Sequence, residues 1–431
     1  MTPITIGIDF GTSNCAASWI NPATDMPEPV RFKDTGSEKM PSVVHISSSG
    51  KISVGVTPFN NLEEASFMEG DERDEVMNNT ITSIKTRMMQ GNVTLRPGKS
   101  YTDDEIISFI LKKVREQISV SCSIPESSME KVILTIPVRF DLWKQDMLKH
   151  AAALAGFKKV KLLKEPESAA IYAIKKGLVP KTGKGLIVYD FGAGTFDVSY
   201  VQIQDEKTLY MPIPSEGEIC GGDDIDALLY NDWDKYLKET KGRSISPDPE
   251  EIDLAFRYRC RREKEQISRN DIADYVAEMI PGVGRVRREM SLTKFNTLIE
   301  PVINKTIART QIVLDQIKAK KLPLTHAILI GGSSRLPMVQ EKLQELLGSK
   351  VQVISTGDMD IAVAVGAMYS TQVSVKQPTP TPETKAKPTP PPIPKSQSQV
   401  TSHFCIHCGT PILSSQKFCM KCGKPNYSYR P

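Results

Sequence analysis

Short apolar runs recur along most of the chain: ITIGID near the start, then KVILTIP, GLIVYDFG and HAILIGG. Runs of this length, bounded by glycine and polar residues, predict β-strands. Between them lie stretches such as IISFILKKVREQI and PMVQEKLQELL, whose apolar residues return every three or four positions and predict amphipathic helices. Strands alternating with helices predict an α/β body. The pattern then stops. From Gln377 to Gln399 the text QPTPTPETKAKPTPPPIPKSQSQ has no periodic apolar face, and its prolines favour an extended, solvated chain. The predicted organisation is a body over residues 1–374, a Pro-rich flexible linker over 375–401 and a small module over 402–431.

Within the body one phrase is written twice, as IGIDFGTSNCAASWI from Ile6 and as IVYDFGAGTFDVSYV from Ile187. In each copy an apolar strand ends on an aspartate, a glycine-containing turn follows, and a second strand-like stretch returns. Two hairpins are predicted. Gly11 in the first turn, and Gly192 and Gly194 in the second, let backbone N–H groups approach an anion, and Thr12, Ser13 and Thr195 add hydroxyl donors. Asp9 or Asp190 beside such a cradle makes sense where a hydrated Mg²⁺ joins carboxylate to phosphate. A single copy is equally well explained as a tight hairpin turn. Two copies in one register, Asp and Gly intact, point to a clamp on a nucleotide's phosphates. A further strand-to-helix turn, HAILIGGSSRLPMVQEKL, places Gly331 and Gly332 before a helix starting near Pro337 and suits the ribose or base end of a nucleotide.

The last thirty residues carry a different chemistry. Cys405 and Cys408 form one C-x-x-C and Cys419 and Cys422 a second, which aims four thiolates at one tetrahedral zinc. So short a module cannot bury enough core to fold alone, so the metal would supply most of its folding energy. Disulfides are the alternative. A catalytic zinc is disfavoured because four cysteines leave no open position. His403 and His407 read as bystanders, and His45, His150 and His326 as structural or surface residues. Cys15, Cys122, Cys220 and Cys260 are scattered and read as small buried hydrophobes.

Composition narrows the classes that remain. The 431 residues are 39% hydrophobic and 25% charged, ordinary for a globular chain of two or three domains, and the net charge of +4 argues against a nucleic-acid surface. No run of 18 apolar residues offers a membrane span, and MTPITIGIDF lacks the pattern of a secretory signal. A cytoplasmic location is the expectation.

The ordered set IDFGTSN, VILTIPVRF, LLKEPESAAIYA, VYDFGAGTFDVS, GGDDID, ILIGGSSRLPMV and AVAVGAM resembles the nucleotide-binding domain of heat-shock protein 70 (DnaK-type) chaperones, within the actin-like ATPase superfamily. The resemblance covers roughly residues 4 to 372. It implies two lobes, each with a five-stranded sheet flanked by helices, closing on Mg-ATP or Mg-ADP. It also implies roles. Asp9 and Asp190 would orient Mg²⁺ through water, and Thr12 and Thr195 would contact phosphate. Lys85 would support attack on the γ-phosphate, with Glu165 and Asp197 positioning the attacking water. Gly331, Gly332, Ser333 and Arg335 would form the adenosine loop, with Asp360 bordering it. Gly221 and Gly222 would make a phosphate-side turn, and Lys264 and Ser268 belong to the helix beside the base.

Departures from the resemblance qualify it. Glu265 stands where the family usually has an arginine that stacks on adenine, and Arg261 where it has a glutamate. A carboxylate cannot supply cation–π stacking, so Arg261, Arg262 or another side chain would have to substitute. An arginine that passes the nucleotide signal onward is replaced by Gln145, with Lys144 as a stand-in. No peptide-binding β-sandwich and lid fit in the residues after the body. The expected function is an ATP-binding, slowly hydrolysing, chaperone-like switch whose zinc ribbon recruits a protein partner. The alternatives are a nucleotide-binding scaffold with negligible hydrolysis and a filament-forming actin relative, the latter disfavoured by the sequence.

Overall fold

The computed structural model describes residues 3–68, 70–90, 94–96, 99–205, 207–246, 252–269, 275–280, 283–355, 357–376, 402–404 and 411–413. Two sheets organise the body. In the first, the strands run Lys159–Lys164, Lys131–Ile136, Thr5–Phe10, Asn14–Asn21 and Met26–Pro29 across the sheet. In the second they run Gln352–Ile354, His326–Ile330, Lys184–Phe191, Phe196–Asp205 and Thr208–Tyr210. Each lobe thus places its strands in the same spatial sequence: fifth, fourth, first, second, third. The implied duplication of a five-stranded sheet is present, with additions at the edges. Met40–Pro41 pairs with Asn14–Cys15, Glu216–Glu218 with Phe196–Val198, and Ser374–Lys376 runs parallel to Thr208–Tyr210. That last strand extends two residues past the expected end of the body.

The central strands are mostly apolar between their ends because both of their faces are covered. Ile6, Ile8 and Phe10 are fully buried in one lobe, and Ile187, Val188, Tyr189 and Phe191 in the other. Helices Asp103–Cys122 and Leu142–Leu154 cover the first sheet, while Gly222–Lys241, Leu254–Ser268 and Leu292–Ala319 belong to the second half. Two helices sit between the lobes: Glu165–Lys175, leaving the first sheet, and Ala362–Tyr369, closing the second. Their contact is made of small residues, and a Cβ on Gly366 would lie 2.0 Å from the Ser168 carbonyl oxygen. The Ser168 hydroxyl donates to the Val363 carbonyl at 2.6 Å, and Ser18 of the first sheet donates to that of Ala364 at 2.6 Å. The small residues of AVAVGAM therefore let the second half seat itself against the first.

The lobes also meet at their tips. Leu62 and Val76, from helices Val56–Glu64 and Gly70–Asn79, form one apolar cluster with Ala255 of helix Leu254–Ser268 in the opposite lobe. Polar contacts frame it. Arg73 reaches Asp253 at 2.6 Å and Arg262 reaches Glu63 at 3.6 Å, while Phe59 meets Tyr258 edge-on. Beyond the body, Ser402–Phe404 pairs antiparallel with Pro411–Leu413. Among the described residues no helix is long and apolar enough to cross a membrane.

Candidate nucleotide site between the lobes

The two predicted hairpins are present. Thr5–Phe10 returns as Asn14–Asn21, and Lys184–Phe191 returns as Phe196–Asp205. A Cβ on Gly11 would stand 2.3 Å from the Asn14 carbonyl oxygen, and Gly192 donates to the Thr195 carbonyl at 3.0 Å, so both turns are tight. They face one another across a cavity of about 560 Å³. Asp9, Gly11, Thr12, Ser13, Lys85, Glu165, Asp190, Gly192 and Thr195 line one end. Lys264, Ser268, Gly331, Gly332, Ser333, Arg335 and Asp360 line the rest. The volume suits a nucleotide.

Four expected site residues fall outside this lining. Asp197 lies behind it, opposite Asp190 in the hairpin ladder. Gly194 lines a second cavity of about 380 Å³, which adjoins the first along Thr12, Ser13, Asp223 and Arg261. Gly221 and Gly222 support the second hairpin from below: Gly222 N–H donates to the Gly192 carbonyl at 3.0 Å, and a Cβ on Gly221 would lie 2.1 Å from the Ala193 oxygen. Gly331 has φ of +79° and a Cβ there would meet the Phe191 oxygen at 2.5 Å, which explains glycine at that turn. Ser333 then donates to Gly192 at 2.8 Å and ties the turn to the hairpin.

The electrostatics at the phosphate end are severe. Lys85, on helix Ile84–Gln90, and Glu165, at the start of helix Glu165–Lys175, are both buried and pair at 2.7 Å. Burial alone would lower the Lys85 pKa, but the charges of Glu165 and Asp9 outweigh it and hold the ammonium above its ordinary value. Asp9 accepts from Thr135 at 2.9 Å, yet burial and then Glu165 push its carboxyl up to about 6. Burial, Glu165 and Asp197 raise Asp190 well above the carboxylate range, and burial followed by Glu165 raises Asp197 to about 8. Asp197 Oδ1 is buried without a hydrogen-bond partner. Four crowded carboxylates with Lys85 as their shared cation are short of positive charge. A divalent cation fits that deficit. Asp9 and Asp190, on the facing turns, are the carboxylates that would hold a magnesium ion here.

Helix Leu254–Ser268 carries Glu265 and its neighbours along the cleft. Arg262 points to Glu63 in the opposite lobe and does not line the cavity. Arg261 does line it, and its Nε donates to Glu265 Oε1 at 3.1 Å. Lys264 is held by Asp226 at 2.7 Å and by the Gly222 carbonyl at 2.9 Å. Gln145 donates to the Phe140 carbonyl and Lys144 lies near Asp141, both away from the cleft. Two residues carried no sequence signal. Lys39, in the loop after Met26–Pro29, crosses the cleft mouth to Asp360 at 2.8 Å, and Asp360 also accepts from Arg335 at 3.0 Å. Ser83 similarly reaches Asp223 at 2.8 Å. Neither belongs to a glycine turn or a spaced pair, so only the approach of the lobes reveals them.

Outside the cleft, Cys15, Cys220 and Cys260 are buried free thiols, as expected, whereas Cys122 is half-buried at the end of its helix. His45 meets Thr80, His150 meets Asp104 and His326 meets Thr325. The four cysteines expected to hold zinc, Cys405, Cys408, Cys419 and Cys422, and the expected bystander His407 lie outside the described residues.

Comparison with known proteins agrees with the architecture. The family described as "Hsp70 protein" matches residues 5–384, and the family described as "zinc-ribbon domain" matches residues 404–426. The chaperone protein DnaK of Thermosipho africanus is 30% identical over 372 residues, covering 84% of this chain and 58% of the relative. The DnaK proteins of Nitrosopumilus maritimus and Elusimicrobium minutum are 28% and 27% identical, with 84% and 80% of this chain covered. The chain spans little more than half the length of these relatives: 58%, 55% and 54%. With two lobes of one strand order, paired aspartate hairpins across a nucleotide-sized cavity and a family match over most of its length, the chain belongs to the Hsp70 family and carries a zinc-ribbon domain after its nucleotide-binding domain.

Proposed function

We propose that this protein is a nucleotide-operated switch of the cytoplasm that binds Mg-ATP or Mg-ADP between its lobes and hydrolyses ATP slowly. The body over 1–374 carries the nucleotide, the segment 375–401 acts as a flexible tether, and the ribbon over 402–431 holds one zinc through Cys405, Cys408, Cys419 and Cys422. The ribbon recruits a protein partner. The observation that supports the switch best is the meeting of Asp9, Asp190, Lys85 and Glu165 in one cavity at the facing turns. Bound magnesium would neutralise phosphate charge and fix the direction of the phosphate chain. The residues do the rest: Thr12, Ser13 and Thr195 donate to phosphate oxygens, Lys85 meets negative charge as it develops, and Glu165 with Asp197 orients water.

One contact favours slow turnover, and in the limit a scaffold without hydrolysis. Lys85 and Glu165 bond to each other at 2.7 Å, so phosphate and water compete with that ion pair for the two groups. Single-turnover measurement of phosphate formation on the purified chain separates the two readings. A magnesium-dependent rate above the uncatalysed background supports the switch. ATP retention with no phosphate formed leaves the scaffold, and no magnesium-dependent binding at millimolar nucleotide removes both.

A further inference from the structure

Helix Leu254–Ser268 runs beside both cavities, and it presents Arg261, Lys264 and Glu265 to the larger one. Lys264 is consumed by Asp226 and the Gly222 carbonyl. Arg261 donates Nε to Glu265 Oε1 and its guanidinium lies over the Tyr258 ring, 5.9 Å from the centroid, while its remaining N–H donors have no hydrogen-bond acceptor among the described residues. Glu265 therefore anchors the guanidinium from one side. Position matters as much as partners. Arg261 lines the larger and the smaller cavity, as do Asp223, whose carboxylate accepts from Ser83, and Thr12 and Ser13 of the first phosphate hairpin, whereas Glu265 lines the larger alone. The anchored guanidinium thus stands at the wall shared with the phosphate-side hydroxyls.

The far end of the cleft is built differently. Among the described residues no aromatic ring lines the larger cavity, and Gln340 and Ser355 bond to each other. Arg335 is held at its edge by Asp360 and the Gly357 carbonyl, which leaves it a flat face. A flat cation stacks on any base, because every base has a π-face. A forked guanidinium, by contrast, matches phosphate oxygens two at a time.

We infer that Arg261 is a phosphate-side binding residue, and that the cleft selects nucleotides by phosphate number far more than by base. The inference rests on the nucleotide reading proposed above. Its ligand class is the nucleoside di- and triphosphates, purine identity being secondary.

Calorimetry on the full chain with magnesium tests it, using unmodified ADP, GDP and AMP on the wild type, Arg261→Gln and Arg261→Lys. ADP and GDP should bind within about threefold of each other. Arg261→Gln should weaken ADP by about 10- to 100-fold, the range for a lost hydrogen bond to a charged group, and weaken AMP far less. Arg261→Lys should recover part of the ADP loss, which a packing defect would not. Melting curves of each variant confirm that the helix is intact. An equal loss for AMP and ADP would place the guanidinium on the base side and overturn the inference. So would ADP bound a hundredfold more tightly than GDP. If AMP, ADP and GDP all fail to bind the wild type, the nucleotide reading itself fails and takes the inference with it.

Discussion

The cluster at the lobe tips makes a quantitative prediction about nucleotide release. Leu62 has no exposed surface, and its neighbours include Ala255 in the opposite lobe, so part of its burial exists only while the lobes are closed. Truncating a buried leucine to alanine costs about 2–5 kcal/mol, counting the cavity left behind. Val76 and Ala65 of its own lobe keep part of that contact when the cleft opens. If about half of the cost is borne by the closed state alone, Leu62→Ala shifts opening by about 1–2.5 kcal/mol, a factor of about 5–70. The assay is stopped-flow release of a fluorescent ADP analogue chased with excess unlabelled ATP. Leu111→Ala supplies the control, being equally buried but inside the first lobe's own core. Both variants should lower the melting temperature, and only Leu62→Ala should release nucleotide faster. Equal release rates in the two variants would refute the reasoning, because the tip cluster would then contribute to folding and not to closure.

Three further outcomes are expected. Lys85→Ala should reduce phosphate formation at least a hundredfold while changing ADP affinity less than tenfold, since the ammonium acts on charge that develops during transfer; comparable losses in both would make it a binding residue. Asp103 is buried at the start of helix Asp103–Cys122 with Oδ1 unpartnered, and burial raises its pKa from 3.8 to about 6. The folded state therefore holds its proton more tightly, so stability falls as pH rises from about 4 through 6, and Asp103→Asn should stabilise the body by about 1 kcal/mol at pH 7 and by nothing near pH 3.5. A gain that is the same at both pH values would exclude titration as the cause. Cys419→Ser should abolish bound zinc by elemental analysis and leave ADP affinity unchanged, as the flexible tether proposed above would require; full zinc occupancy in that variant would place the metal elsewhere.

The strands, the hairpins and the ends of the cleft were legible in the sequence because each depends on local chemistry. An apolar run must be buried, a Gly at φ of +79° cannot be replaced cheaply at residue 331, and Asp9 and Asp190 occupy one register in two copies of one phrase. The seating of helix Ala362–Tyr369 was not legible, because AVAVGAM shows small residues but not their partner, and only the fold brings the Ser168 carbonyl oxygen to 2.0 Å from a Gly366 Cβ. What the tertiary structure alone decided are the relations between residues far apart in the chain. Lys39 meets Asp360, Arg262 turns to Glu63 while Arg261 stays in the cleft, and Lys85 is locked to Glu165. Nothing in the spacing of those residues encodes the contact. Charged side chains, buried like Lys85 and Glu165 or at the cleft mouth like Lys39, obey no periodicity of their own, and their partners are chosen by how the fold brings distant segments together.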